Sequence, residues 1–206
     1  IIPDYTGIKL SFNKKFKEGT EYILSADSLY SCSGKLSSKM HSQISFSIPS
    51  IPEIDYPLII NEIFADPSPS RGLPEAEFVE LFNPTSSSVN ISGLNFGDQS
   101  RNYSFTKGEI AAKSYLILCA EKDTSLFLSY GKVIGLPVWP DLNNETDLLI
   151  LKNNRGKEIH KLRYDSNWYR DSEKRKGGNT LELIDPESIC LSFQNWIASR
   201  DSSGGT

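Results

Sequence analysis

Every apolar run in this chain is strand-sized and closed by a turn cluster, which limits the possible folds more than any single motif does. Gln43-Ile44-Ser45-Phe46-Ser47-Ile48 alternates apolar with polar residues, the period of a strand with one buried face. Leu58 to Phe64, Ala76 to Phe82, Val89 to Phe96, Tyr103 to Phe105, Tyr115 to Ala120, Asp147 to Lys152, Glu158 to Tyr164 and Thr180 to Ile184 read the same way, with turns such as Asn153-Asn154-Arg155-Gly156 between them. Ten Phe, nine Tyr and three Trp stand against a single Met, a balance that suits pleated, half-buried surfaces better than helices. Only Thr124 to Tyr130 reads as helical. Many short strands with regularly spaced turns predict an all-β sandwich or barrel. No run approaches the roughly 18 apolar residues of a membrane-spanning helix.

The 206 residues divide into two predicted parts. In the first, residues 1–50, Ile8 to Phe16 reads as a strand, Lys17 to Thr20 as a turn and Glu21 to Ala26 as the strand returning against it, with a further turn cluster at Ser31-Cys32-Ser33-Gly34. So small a sheet buries little core, so this segment is expected to lean on its neighbour or to have lost preceding strands. Pro49, Pro52 and Pro57 then break any regular ladder, which makes residues 51–57 a linker and residues 58–206 the main domain. A chain opening on Ile1 without a charged leader reads as a mature form or a fragment.

Several phrases of the main domain resemble the lamin tail domain in its bacterial form. They are Ile59-Ile60-Asn61-Glu62-Ile63, Glu77-Phe78-Val79-Glu80-Leu81-Phe82-Asn83, Val89-Asn90-Ile91-Ser92-Gly93-Leu94, Tyr115-Leu116-Ile117-Leu118, Gly178 to Pro186, Asn195-Trp196 and the closing Gly205-Thr206. Leu94-Asn95-Phe96 stands where that family usually carries a Trp after its Ser-Gly pair. The first fifty residues resemble the end of a bacterial immunoglobulin-like repeat, with Gly19-Thr20-Glu21-Tyr22-Ile23-Leu24 as the matching phrase. The resemblance implies a lamin-tail-type immunoglobulin-like β-sandwich with a small additional N-terminal β segment. It further implies a non-catalytic interaction or spacer module of a larger bacterial protein of the Bacteroidetes type, extracellular or on the outer cell surface, with a protein or glycan partner. The residues fit such a core: Trp196 is a natural apolar plug, and Phe78, Leu81 and Phe82 cannot share one face of a regular strand without a bulge or strand end near Asn83-Pro84.

Ligand chemistry is sparse. The formal charge of -4 gives no global field to recruit nucleic acid or an anionic membrane. The densest acidic cluster holds Glu62, Asp66, Glu75, Glu77 and Glu80, and Asp66, Glu75 and Glu77 are the candidate ligands of a structural calcium ion, which takes about six to eight hard oxygens. The cluster lacks an Asp-x-Asp loop pattern, so the simpler reading is solvated loop and edge charges, and no other cofactor is expected. Glu77 and Glu80 form a pair of the kind glycosidases use, a signal almost any acidic surface offers. His41 and His160 have no nucleophile setting, so catalysis is not expected, and His160 among Lys157, Lys161 and Arg163 reads as an exposed strand residue. Between Lys152 and Lys176 nine Lys or Arg face four acids beside Tyr164, Trp168 and Tyr169, a composition shared by polyanion sites and by plain solvated hairpins. Lys174 and Arg175 are the candidate polyanion ligands there. Trp139, Trp168 and Tyr169 are the candidate platform for sugar rings, with Trp139 held exposed by Pro137 and Pro140. Cys32, Cys119 and Cys190 are too few for a disulfide framework, and in an oxidising compartment Cys119 and Cys190 are the pair within the main domain.

Overall fold

The computed structural model describes residues 10–26, 29–30, 36–37, 42–48, 58–188 and 193–205. Its chain divides into two compact units, Ile1–Pro52 and Glu53–Thr206. The proline-rich stretch 51–57, the turn at residues 31–34, His41, Cys32 and Cys190 lie outside the described residues.

In the first unit, β1 (Glu21–Ala26) pairs antiparallel with β4 (Ser42–Ser47), and the short β2 (Leu29–Tyr30) pairs with β3 (Leu36–Ser37). This corrects the expected hairpin. Residues 10–16 form no strand, and β1 takes its partner from twenty residues downstream instead of from the segment before it. What residues 10–16 contribute is aromatic packing, because Phe16 lies edge-on to Phe12, Tyr22 and Phe46 at ring distances of 5.0, 4.7 and 5.3 Å.

The second unit is a two-sheet sandwich. It is built from β5 (Ile59–Phe64), β6 (Phe78–Phe82), β7 (Val89–Asn90), β8 (Asn95–Gly97), β9 (Asn102–Ser104), β10 (Glu109–Ile110), β11 (Tyr115–Ala120), β12 (Val133–Leu136), β13 (Thr146–Lys152), β14 (Glu158–Asp165), β15 (Leu181–Leu183) and β16 (Trp196–Ala198). One sheet has six strands in the order β12-β11-β6-β5-β15-β16 and the other four in the order β14-β13-β8-β9, while β7 and β10 pair in a separate two-stranded ladder. All pairs in these two sheets are antiparallel except β11 with β12. Strand alternation turns Ile60, Ile63, Val79, Leu81, Leu116, Leu118, Leu181 and Trp196 of the larger sheet toward Phe96, Leu149, Leu151, Leu162 and Tyr164 of the smaller, and all belong to one buried core. Each such side chain contributes about 1.5–3 kcal/mol by leaving water.

Phe78, Leu81 and Phe82 escape the alternation problem because β6 is buried on both faces. Val79 and Leu81 fill the inter-sheet core, while Phe78 packs on the outer face with Phe64, Phe127, Ile117 and Cys119. The strand ends at Phe82, as Asn83-Pro84 predicts, and the bulge sits one strand away. On β5, Asn61 has no partner between the pairs Ile60–Leu81 and Glu62–Glu80. That extra residue lets Ile60 and Ile63, three apart, both face the core.

The Val89 to Phe96 run divides into β7 and β8, which join different sheets. The turn at Ser92-Gly93 makes the corner, with Gly93 at φ +84°, a conformation that costs a side chain steric strain. The helical segment at Thr124 is a 3-10 helix at Glu121–Leu126, earlier than expected.

Candidate functional site

Several of the residues nominated from sequence make contacts within the sandwich. Trp139 is buried at 7% exposure against Phe96, because its indole Nε1 donates to Glu77 Oε2 at 2.7 Å. The backbone N–H of Leu142 donates to the same oxygen at 3.0 Å, so Glu77 anchors the 137–145 loop. Flanking prolines did not expose this Trp, since the loop folds back over the end of the core. Tyr169 is buried as well, its hydroxyl donating to the Asn179 carbonyl at 3.0 Å, and Trp168 is half-buried with its ring 6.1 Å from that of Trp196. The three rings therefore form no exposed platform.

Four cations of the 152–176 segment are similarly engaged. Lys174 donates to the Ser199 carbonyl, Arg175 to Asn167 Oδ1 at 2.8 Å and Glu145 Oε2 at 3.0 Å, Arg170 to the Phe193 carbonyl at 2.8 Å, and Lys176 to Glu173 at 2.7 Å. Three of these contacts tie loops distant in sequence to one another.

The three proposed calcium ligands are not assembled. Glu77 is committed to Trp139 and Leu142, Glu75 accepts from the Ser70 backbone at 3.3 Å, and Asp66, its pKa raised by burial, is bonded to the Ser68 backbone and the Asn144 side chain. Among the described residues no group of three or more His, Cys, Asp or Glu is placed to hold a metal ion. Glu77 and Glu80 flank no common bond either, since three positions apart on an extended strand they point to opposite faces.

His160 is not an exposed strand residue. Its Nδ1 accepts the backbone N–H of Ile60 at 2.9 Å, a bond that crosses from β14 to β5 and joins the two sheets, and burial lowers its pKa. Cys119 is a free buried thiol whose pKa burial pushes up to about 11, which suppresses thiolate chemistry.

A cleft on the outer face of the six-stranded sheet went unseen in the sequence. It has a volume of about 520 Å³ and is lined by Asn61, Glu80, Lys113, Ser114, Tyr115, Ile117, Tyr130, Gly131 and Lys132. Strand register explains its floor. Glu80 stands on β6 between Ile117 of β11 and Glu62 of β5, and Glu182 of β15 follows Glu62 in the same row. Glu62 is wholly buried, with the C-terminal segment lying over it. A Cβ on Gly205 would stand 2.7 Å from its Oε1, so any larger residue there would have to displace the Glu62 side chain. Glu80 is 7% exposed and accepts from Asn61 Nδ2 at 2.9 Å, a contact that the bulge makes available. Burial first, then the neighbouring charges of Glu62 and Glu182, raise its pKa to about 7 against the pull of the Asn61 bond.

The walls of the cleft are aromatic and exposed. Tyr115 stacks on Phe82 at 4.6 Å with 46% of its surface in solvent, and Tyr130 is 41% exposed. The Tyr115 hydroxyl is pushed up in pKa by burial and by the Glu80 charge. Lys113 holds its place in a left-handed conformation at φ +53°, and Lys132 is fixed by its carbonyl, which accepts from Ile117 N at 2.9 Å, and by its ammonium on the Glu109 carbonyl. One signal in the sequence pointed here: Glu80 interrupts an otherwise apolar central strand and Asn61-Glu62 interrupts its neighbour, where a carboxylate is costly unless it has a task or a partner.

Two facing sheets of mostly antiparallel strands packed on one core are the architecture of an immunoglobulin-like β-sandwich. The profile of the lamin tail domain matches residues 56–166, more than half of the chain. This chain belongs to that family, whose members are non-enzymatic immunoglobulin-like modules. No curated protein and no solved structure matches it. Among the described residues no helix is long and apolar enough to cross a membrane.

Proposed function

We propose that this chain is an extracellular or outer-surface interaction and spacer module of a larger bacterial protein, its first fifty residues forming the end of an immunoglobulin-like repeat. The observation that carries this reading is the commitment of its polar side chains: Glu77, His160, Lys174 and Arg175 all fix loops or sheets to one another. A sandwich held in this way presents fixed surfaces, and one of them is the cleft around Glu80. Surface location is tested by treating intact cells that express the epitope-tagged native protein with a non-permeant biotin reagent. Labelling equal to that of a known surface protein supports the reading, and labelling only after lysis overturns it.

A second reading, a saccharide- or polyanion-binding module, moves to a different place on the molecule. The internal bonds of Lys174 and Arg175 and the burial of Trp139 and Tyr169 count against the 152–176 face. The exposed tyrosines of the cleft favour a saccharide there.

A further inference from the structure

We infer that the cleft above β6 and β11 is a binding site for an acidic saccharide, a sugar ring carrying a carboxylate. This rests on the interaction-module reading and adds to it a ligand class and a place. The space fits, because about 520 Å³ lies within the range of about 300–1,000 Å³ typical of small-ligand sites.

Such a ring meets suitable partners among the lining residues. Tyr115 and Tyr130 keep 46% and 41% of their surface exposed, although aromatics of this size are normally covered in a sandwich. A sugar presents apolar C–H faces that stack on such rings. Tyr115 is also held in place, since it stacks on Phe82, so little side-chain freedom is lost on binding. On the floor, Glu80 and the Asn61 side chain offer hydrogen-bond acceptors for ring hydroxyls, in an arrangement already fixed by their mutual bond of 2.9 Å.

Charge selects the anionic class. The cleft is lined by two lysines, Lys113 and Lys132, and by one carboxylate, Glu80. A simple cation would meet two like charges at the wall, whereas a carboxylate on the sugar finds an ammonium group there. Lys132 is steadied by its bond to the Glu109 carbonyl, which leaves Lys113, exposed on the wall, as the freer partner.

The test is a titration of the full chain, isotope-labelled, with a short oligogalacturonate, with its uncharged methyl ester and with a neutral glucose oligomer of the same length. Amide shifts confined to residues 61, 80, 113–117 and 130–132, seen with the acid and not with either neutral compound, are the expected result. Tyr130→Ala and Lys113→Gln change exposed side chains and leave the fold intact by circular dichroism. Each is expected to weaken binding about tenfold, and Lys113→Gln also to flatten its salt dependence. Equal binding of the methyl ester overturns the anionic class. Shifts that map to residues 152–176, or no shift at millimolar saccharide, overturn the site itself. Surface labelling of intact cells is unaffected by any of these outcomes, so the two readings fail separately.

Discussion

A carboxylate in the middle of a buried strand sets its own pH dependence. The Glu80 carboxyl has its pKa raised from 4.5 to about 7. Below pH 4.5 it is protonated in both the folded and the unfolded chain, and nothing is lost. As pH rises from 4.5 toward 7 the unfolded chain gives up the proton and the folded one keeps it, so stability falls, by about 3 kcal/mol at most once pH passes the folded value. Glu80→Gln keeps the shape and the contact with Asn61 but has no charge to bury. The variant is expected to match the parent at pH 4.5 and to exceed it by about 1–3 kcal/mol at pH 8, measured by urea unfolding at both values. An equal difference at both would show that the charge is not the cause. Burial raises the pKa of Glu77 as well, but its carboxylate differs from that of Glu80 in accepting from two donors that anchor a loop. Trp139→Phe removes one of them, the indole N–H, and is expected to cost about 1–3 kcal/mol in the same measurement.

At the scale of strands, β5 and β14 are linked by one imidazole. Ile60 is fully buried, and its N–H is spent on His160 Nδ1. The histidine must be neutral to accept it. Its folded pKa is depressed below 6.5, so its contribution is complete above pH 6.5 and is lost as pH falls through the folded value, opposite in sign to that of Glu80. His160→Phe keeps the ring but leaves the Ile60 N–H unsatisfied. It is expected to lower the thermal midpoint at pH 8 and to narrow its gap to the parent at pH 5, as followed by circular dichroism. A gap that stays constant with pH would mean that the imidazole contributes by packing alone. Element type was legible in the sequence wherever a strand-sized, mostly apolar or alternating run reached five or more residues, as in β5, β6, β11, β13 and β14. β10, β12 and β16 were missed because two to four residues carry no period, and Val133–Leu136 gains its strand character only by lying parallel to β11. Side-chain partners were the illegible part. Neither the Trp139 bond to Glu77, 62 positions back, nor the His160 bond 100 positions back leaves a local mark, and both residues consequently read as exposed. The cleft was hidden for the same reason, since it joins residues 61, 80, 113–117 and 130–132 through register alone.

At the scale of the molecule, the family match ends at residue 166, but the larger sheet does not. Its last two strands follow later in the chain: β15 pairs onto β5, with Leu181 opposite Ile63 and Glu182 opposite Glu62, and β16 pairs onto β15. They bring Leu181, Trp196 and Ala198 into the inter-sheet core, and Tyr169 comes from the segment between. A chain cut after residue 166 would leave an open edge on β5 and bare the apolar surface those side chains cover. Losing a buried Trp, Tyr and Leu at about 1.5–3 kcal/mol or more each removes most of the 5–15 kcal/mol that holds a typical domain together. Residues 56–166 alone are therefore expected to lack a cooperative unfolding transition and to bind a hydrophobic dye, while residues 53–206, one compact unit, unfold in a single step. Urea titration of the two fragments followed by Trp fluorescence separates the cases. A sharp transition in the shorter fragment would show that β15 and β16 are an addition to a core that is complete without them.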